Sequence, residues 1–161
     1  MNAVAPSQDD LRELYRELIL DHARSPRHFG KLEDASHHAE GINPLCGDKL
    51  KVYLQIDDGG TIRNATFEGS GCAISVASAS LLTDTVIGLT IDQAMKYFST
   101  IISMLTVSDS QNQIDASQLE LDKLRALMGV IEFPARVKCA TLAWHALDSA
   151  INENTKPATT E

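Results

Sequence analysis

Basic residues are in short supply. Fourteen Lys and Arg face 22 Asp and Glu, for a net charge of −8, and a nucleic-acid binder would need a basic face that this balance does not provide. No uncharged apolar run approaches the roughly 18 residues of a membrane span. The segment Met1-Asn2-Ala3-Val4-Ala5-Pro6 lacks a basic stretch leading into an apolar one, so it does not read as a signal peptide, and a cytoplasmic location is expected. Cysteine is scarce too. Three thiols cannot all pair within one chain, and no Cys-x-x-Cys is present to announce a metal site. A Gly-x-Ser-x-Gly elbow is also missing, so Ser75, Ser78 and Ser80 read as small residues for tight packing rather than as nucleophiles. Neither an internal repeat nor a dividing linker appears. The expectation is one domain over residues 9–152, with flexible tails at 1–8 and 153–161.

Local periodicity sets out the elements. Asp9 or Asp10 is placed to cap a first helix carrying Leu11, Leu14, Tyr15, Leu18 and Ile19 on one side, and Pro26 follows its end. His28 to Pro44 shows no period and reads as loop, with room for a short first strand. Leu50, Val52, Leu54 and Ile56 alternate with polar neighbours as in a half-buried strand, and Asp58-Gly59-Gly60 turns it into a return strand over 61–68. In that strand Ile62 is out of phase with Ala65 and Phe67, a slip that a β-bulge would account for.

The second half is helical. A helix of small residues runs from Ala73 to Val86, and Thr90 with Gln93 forms a capping box for the next. A polar stretch at 108–116 leads to a helix from Ser117 to Gly129, and Pro134 opens the last one. Cys139, Leu142, Ala143, Ala146, Leu147 and Ala150 would form its buried stripe. The order is that of an α+β fold, with helices on one face of an antiparallel sheet.

Each cysteine falls at a boundary. Cys46 lies in a Pro-Leu-Cys-Gly-Asp turn, Cys72 opens a helix after a glycine-rich turn, and Cys139 is read in the first turn of the last helix. Helix N-termini favour a thiolate, which would apply to Cys72 and Cys139. Asp48, two residues after Cys46, points to the same side of an extended chain. Burial, nucleophilic chemistry and metal binding all remain open for these groups. Three sulfurs and one oxygen would suit tetrahedral zinc, and iron is the other candidate. The histidines carry weaker signals: His37 and His38 read as solvated loop residues, His145 as surface, and His22 as a packing or hydrogen-bonding group at the end of the first helix.

The wording of several segments is more specific than their spacing. Tyr15 to His22, Ser25-Pro26-Arg27, Asn43-Pro44-Leu45-Cys46-Gly47-Asp48, Phe67 to Ser80 and Phe133 to Trp144 resemble the SufU branch of the IscU-like iron–sulfur assembly proteins. The likeness runs from about residue 11 to residue 151. It implies a three-stranded antiparallel sheet with a metal site at one end, and Cys46, Asp48, Cys72 and Cys139 as the ligands. Lys138 stands where IscU-type scaffolds have a histidine, Phe133-Pro134-Ala135-Arg136-Val137 replaces their Leu-Pro-Pro-Val-Lys segment, and the region 108–128 resembles an insertion that marks SufU proteins.

These departures favour a zinc-dependent sulfurtransferase over a scaffold on which a [2Fe–2S] cluster is built. The implied partner is a SufS-like cysteine desulfurase, with other cluster-assembly proteins as further partners. Cys46 is the expected sulfur acceptor, because Gly47 and the preceding loop let it swing. Arg136 is placed either to steady the thiolates or to stand as a surface cation.

Overall fold

The computed structural model describes residues 8–106, 121, 123–153 and 156–160. Helix α1 covers Gln8–Arg24, so Asp9 and Asp10 lie inside its first turn rather than capping it. Three strands follow, β1 (His37–Asn43), β2 (Asp48–Ile56) and β3 (Ile62–Ser70). Next come α2 (Ala73–Val86), α3 (Ile91–Thr106), a 3-10 segment (Leu124–Glu132), α4 (Pro134–Ile151) and a short β4 (Ala158–Thr159).

The sheet order is β3-β2-β1-β4. The first three strands are antiparallel, as expected, while β4 adds a parallel fourth through Gly41↔Ala158 and Ile42↔Thr159. That pairing falls within a stretch read from the sequence as frayed. No helix among the described residues is long and apolar enough to cross a membrane.

The expected bulge is present. Pairing steps from Gln55↔Asn64 to Ile56↔Ile62 and leaves Arg63 as the extra residue, which lets Ile62, Ala65 and Phe67 all face the core. The turn before it is held by Asp57, whose carboxylate accepts the Gly59 and Thr61 N–H groups and the Arg63 guanidinium. The capping box is also formed: the Thr90 N–H donates to Gln93 Oε1 at 3.0 Å, and the Gln93 N–H donates to Thr90 Oγ1 at 3.2 Å.

A full first strand is the main departure. His37 and His38 belong to β1 rather than to a loop. Its inward residues are Ala39, Gly41 and Asn43, so no apolar alternation marks it. The reason is close packing: a Cβ at Gly41 would lie 3.0 Å from Leu142 Cδ1 on α4. α4 lies across β1 and β2 and also packs against α2. All six residues of its expected stripe are buried, and so are Ala140, Thr141 and Trp144. Ser78 on α2 accepts the Trp144 indole N–H at 3.1 Å and donates to the Ala140 carbonyl at 2.5 Å, which joins the two helices. α1 packs outside α2, so the core lies between the sheet and the pair α2 and α4.

Two smaller readings change. Residues 117–120 of the expected helix lie outside the described residues, and its end is the 3-10 segment, which continues through Gly129 to Glu132. His145 is not a surface group. It is half-buried and meets the Phe98 ring edge-on at 5.6 Å.

Candidate metal centre

At one end of the sheet the chain gathers its chemistry. β1 ends at Asn43, residues 44–47 form a four-residue turn with Gly47 at φ +70°, and β2 begins at Asp48. Only glycine enters that left-handed region without strain, which lets the turn close directly after Cys46. β3 ends beside it at Ser70, and Cys72 is the N-cap of α2 in extended backbone.

One ligand atom from each of Cys46, Asp48 and Cys139 lies within 4.8 Å of the other two. Cys46 is half-buried, and Asp48 and Cys139 are buried. The Cys72 thiol is outside this group of three, but its backbone N–H donates to Asp48 Oδ1 at 2.8 Å. Gly71 makes that approach possible, because a Cβ there would sit 2.5 Å from Asp48 Oδ1. None of the five histidines joins a metal-ligating group among the described residues.

Cys139 is the sixth residue of α4, not part of its first turn, because the helix starts at Pro134. Its thiol is directed at the Ala135 carbonyl, 3.7 Å away. Burial pushes this thiol well above the ordinary cysteine range, and the neighbouring Cys46, Asp48 and Cys72 add to the effect. Without a cation Cys139 therefore keeps its proton, which corrects the expectation that a helix end eases its ionisation. Arg136 is exposed, and its interaction with the Cys139 and Cys72 sulfurs raises its own pKa. It is thus both a surface cation and a partner of two thiols.

Sequence reasoning passed over Asn43. It is fully buried, and its Nδ2 donates to Asp48 Oδ2 at 3.1 Å and to Cys139 Sγ at 3.5 Å. A polar residue beside the Pro-Leu-Cys-Gly-Asp turn was the available signal, but it gains meaning only once β1 is known to be a strand.

The donor set suits a thiophilic ion. Sulfur lies about 2.3 Å from zinc and carboxylate oxygen about 2.0–2.2 Å, so one ion can bridge the three clustered groups. Burying a carboxylate against thiols is otherwise unfavourable, and a cation reverses that sign.

Fold and site define an α+β domain that gathers, at one end of its sheet, a Cys and Asp cluster able to bind a metal. The sequence model of the NifU-like N-terminal domain matches residues 14–140, and the chain belongs to this NifU/IscU-like family of iron–sulfur cluster assembly proteins. It is 39% identical over 142 residues to the zinc-dependent sulfurtransferase SufU of Bacillus subtilis, spanning 88% of this chain and 92% of that one. It is also 39% identical over 144 residues to the iron–sulfur cluster assembly scaffold protein IscU of Thermotoga maritima, spanning 89% and 96%. Among solved structures, the SUF-system protein FiSufU of Fervidobacterium islandicum AW-1 superposes with a TM-score of 0.75 at 32% identity, covering 87% of this chain and 98% of that one.

Proposed function

We propose that this chain binds zinc through Cys46, Asp48, Cys72 and Cys139 and accepts sulfur on Cys46 from a cysteine desulfurase. The reading rests on one contrast. Cys46 hangs half-buried on a four-residue turn, whereas Cys139 is fully buried in a helix and Cys72 is tied to Asp48 through its own N–H. The likeness to a relative named as a zinc-dependent sulfurtransferase supports it. Bound zinc would supply the positive charge that keeps these sulfurs deprotonated in a buried site.

The residues then divide the work. Asp48, a harder donor than sulfur, stays in place through hydrogen bonds to both of its oxygens. Arg136 offsets negative charge on Cys72 and Cys139. The Cys46 turn carries the reacting atom outward. Its thiolate attacks the outer sulfur of the desulfurase's cysteine persulfide, a new sulfur–sulfur bond forms on Cys46, the partner's bond breaks, and the partner's cysteine leaves as a thiolate. No net oxidation occurs.

The test is sulfide release by the cognate desulfurase with wild type and with Cys46→Ala. Stimulation should fall to the level of desulfurase alone, and undiminished stimulation would remove Cys46 from the acceptor role. A scaffold reading draws on the same three thiols and on the equal likeness to a relative named as a scaffold. A brown iron–sulfur spectrum on anaerobic purification would select it, and a colourless zinc-loaded protein would select the carrier.

A further inference from the structure

Asn43 occupies an unusual position. Its backbone is already held in the β1–β2 ladder opposite Asp48, so the side chain is not needed to close the hairpin. That side chain is fully buried, and both recorded hydrogen bonds of its amide nitrogen end on site atoms, Asp48 Oδ2 at 3.1 Å and Cys139 Sγ at 3.5 Å. The other end of the amide, Oδ1, is buried with no hydrogen-bond partner. An unpartnered buried acceptor costs about 1–3 kcal/mol. An apolar side chain would avoid that loss. Retaining the amide makes physical sense if its two donors serve something the metal-free fold does not need.

Their targets identify the service. A carboxylate oxygen and a sulfur can both accept from N–H, and an amide that donates to both keeps the two lone-pair-bearing atoms at a set separation and orientation. Asp48 is further constrained from its other side, where Oδ1 accepts the Cys72 N–H and Gly71 leaves it room. Cys139 is further constrained by its burial within α4. Cys46, on its turn, receives no such donor from Asn43. The site therefore has a braced side and a free side.

We infer that Asn43 is a positioning residue that braces Asp48 and Cys139 as a fixed ligand pair, so that ligand exchange is confined to Cys46. The inference rests on the proposed metal site. It assigns to Asn43 the role that outer-sphere partners of metal ligands generally hold, orienting the donor atoms without touching the ion.

The experiment uses the full-length chain stripped of metal, with Co2+ as the spectroscopic probe and Zn2+ in competition. Asn43→Leu removes both donors and the unpartnered acceptor without adding charge. Its metal-free melting temperature should stay close to that of wild type, because losing the unpartnered amide oxygen offsets the lost bond to Asp48 Oδ2, while its affinity for Co2+ and Zn2+ should drop ten- to a hundredfold, with altered Co2+ ligand-field bands. Lost metal affinity at nearly unchanged metal-free stability is the signature of positioning. Asn43→Ala, which leaves space rather than filling it, carries the same affinity test should the leucine variant not fold.

Unchanged affinity and unchanged bands would overturn the inference. Equal losses in the metal-free and loaded proteins would overturn it too, because they would mark Asn43 as merely structural. Failure of wild type itself to bind either ion is a different result, and it would overturn the metal-site reading together with this one.

Discussion

Two buried polar clusters serve opposite ends of this molecule's purpose. In one, His22 at the end of α1 is 2% exposed and its Nδ1 lies 2.7 Å from Ser80 Oγ on α2. Ser80 also accepts the Arg27 N–H at 2.8 Å. Thr83 adds bonds to the Ser80 and Arg27 carbonyls. These bonds join α1 to α2. In the other, around Asn43, Asp48 and Cys139, acidic groups face one another and an amide oxygen is left over. The first cluster ties two helices together, whereas the second, with an excess of acceptors, is able to take a cation.

The sharpest way to break this comparison is to supply the cation. Zinc at a thousandfold excess over its Kd should raise the stability of wild type by about 4 kcal/mol, and the gain should vanish in Cys139→Ala. Thermal melts with and without a chelator measure it. If His22→Ala also lost the zinc-dependent gain, the two clusters would not be independent.

His22→Ala should instead destabilise metal-free and loaded protein alike, by about 2 kcal/mol, since it opens a cavity and strands the Ser80 hydroxyl. Urea midpoints report this. The same cluster predicts a pH dependence. Burial holds His22 below its ordinary value, with Arg27 and Lys123 acting in the same direction and Asp21 and Asp84 against it. Burial lowers His145 as well. A histidine whose folded pKa is depressed binds its proton more readily in the unfolded chain, so stability is complete above about pH 6.5 and is lost as the pH falls through that value. His22→Gln should flatten the acid limb, with a slope change of no more than about 1.4 kcal/mol per pH unit. A limb left as steep as in wild type would assign the effect to His145 or to the carboxylates.

The smallest effect lies outside both clusters. Thr90→Ala removes one half of the capping box and should cost about 1 kcal/mol, with metal affinity untouched. Any change in zinc binding would show that α3 is coupled to the site.

Elements governed by neighbours close in sequence were readable from the sequence. The capping box at Thr90 and Gln93, the bulge signalled by Ile62, the turn at Asp58-Gly59-Gly60 and the proline start of α4 all follow from interactions spanning a few residues. β1 was not readable, because its inward Ala39, Gly41 and Asn43 are chosen by the surface of α4 and by the site. Nor was β4, whose two residues depend on an edge offered by β1. His145 was misread because Phe98, on another helix, covers it.

By itself, then, the sequence determined the kinds of donor present, the family wording around them and the local punctuation of most elements. Tertiary structure alone decided which of these donors meet. Asn43 and Cys139 are 96 residues apart along the chain and hydrogen-bonded in the fold. The same packing buries Cys139, and that burial keeps its proton on. Protonation and ligand geometry depend on what surrounds an atom in space, and in this chain those surroundings come from distant segments.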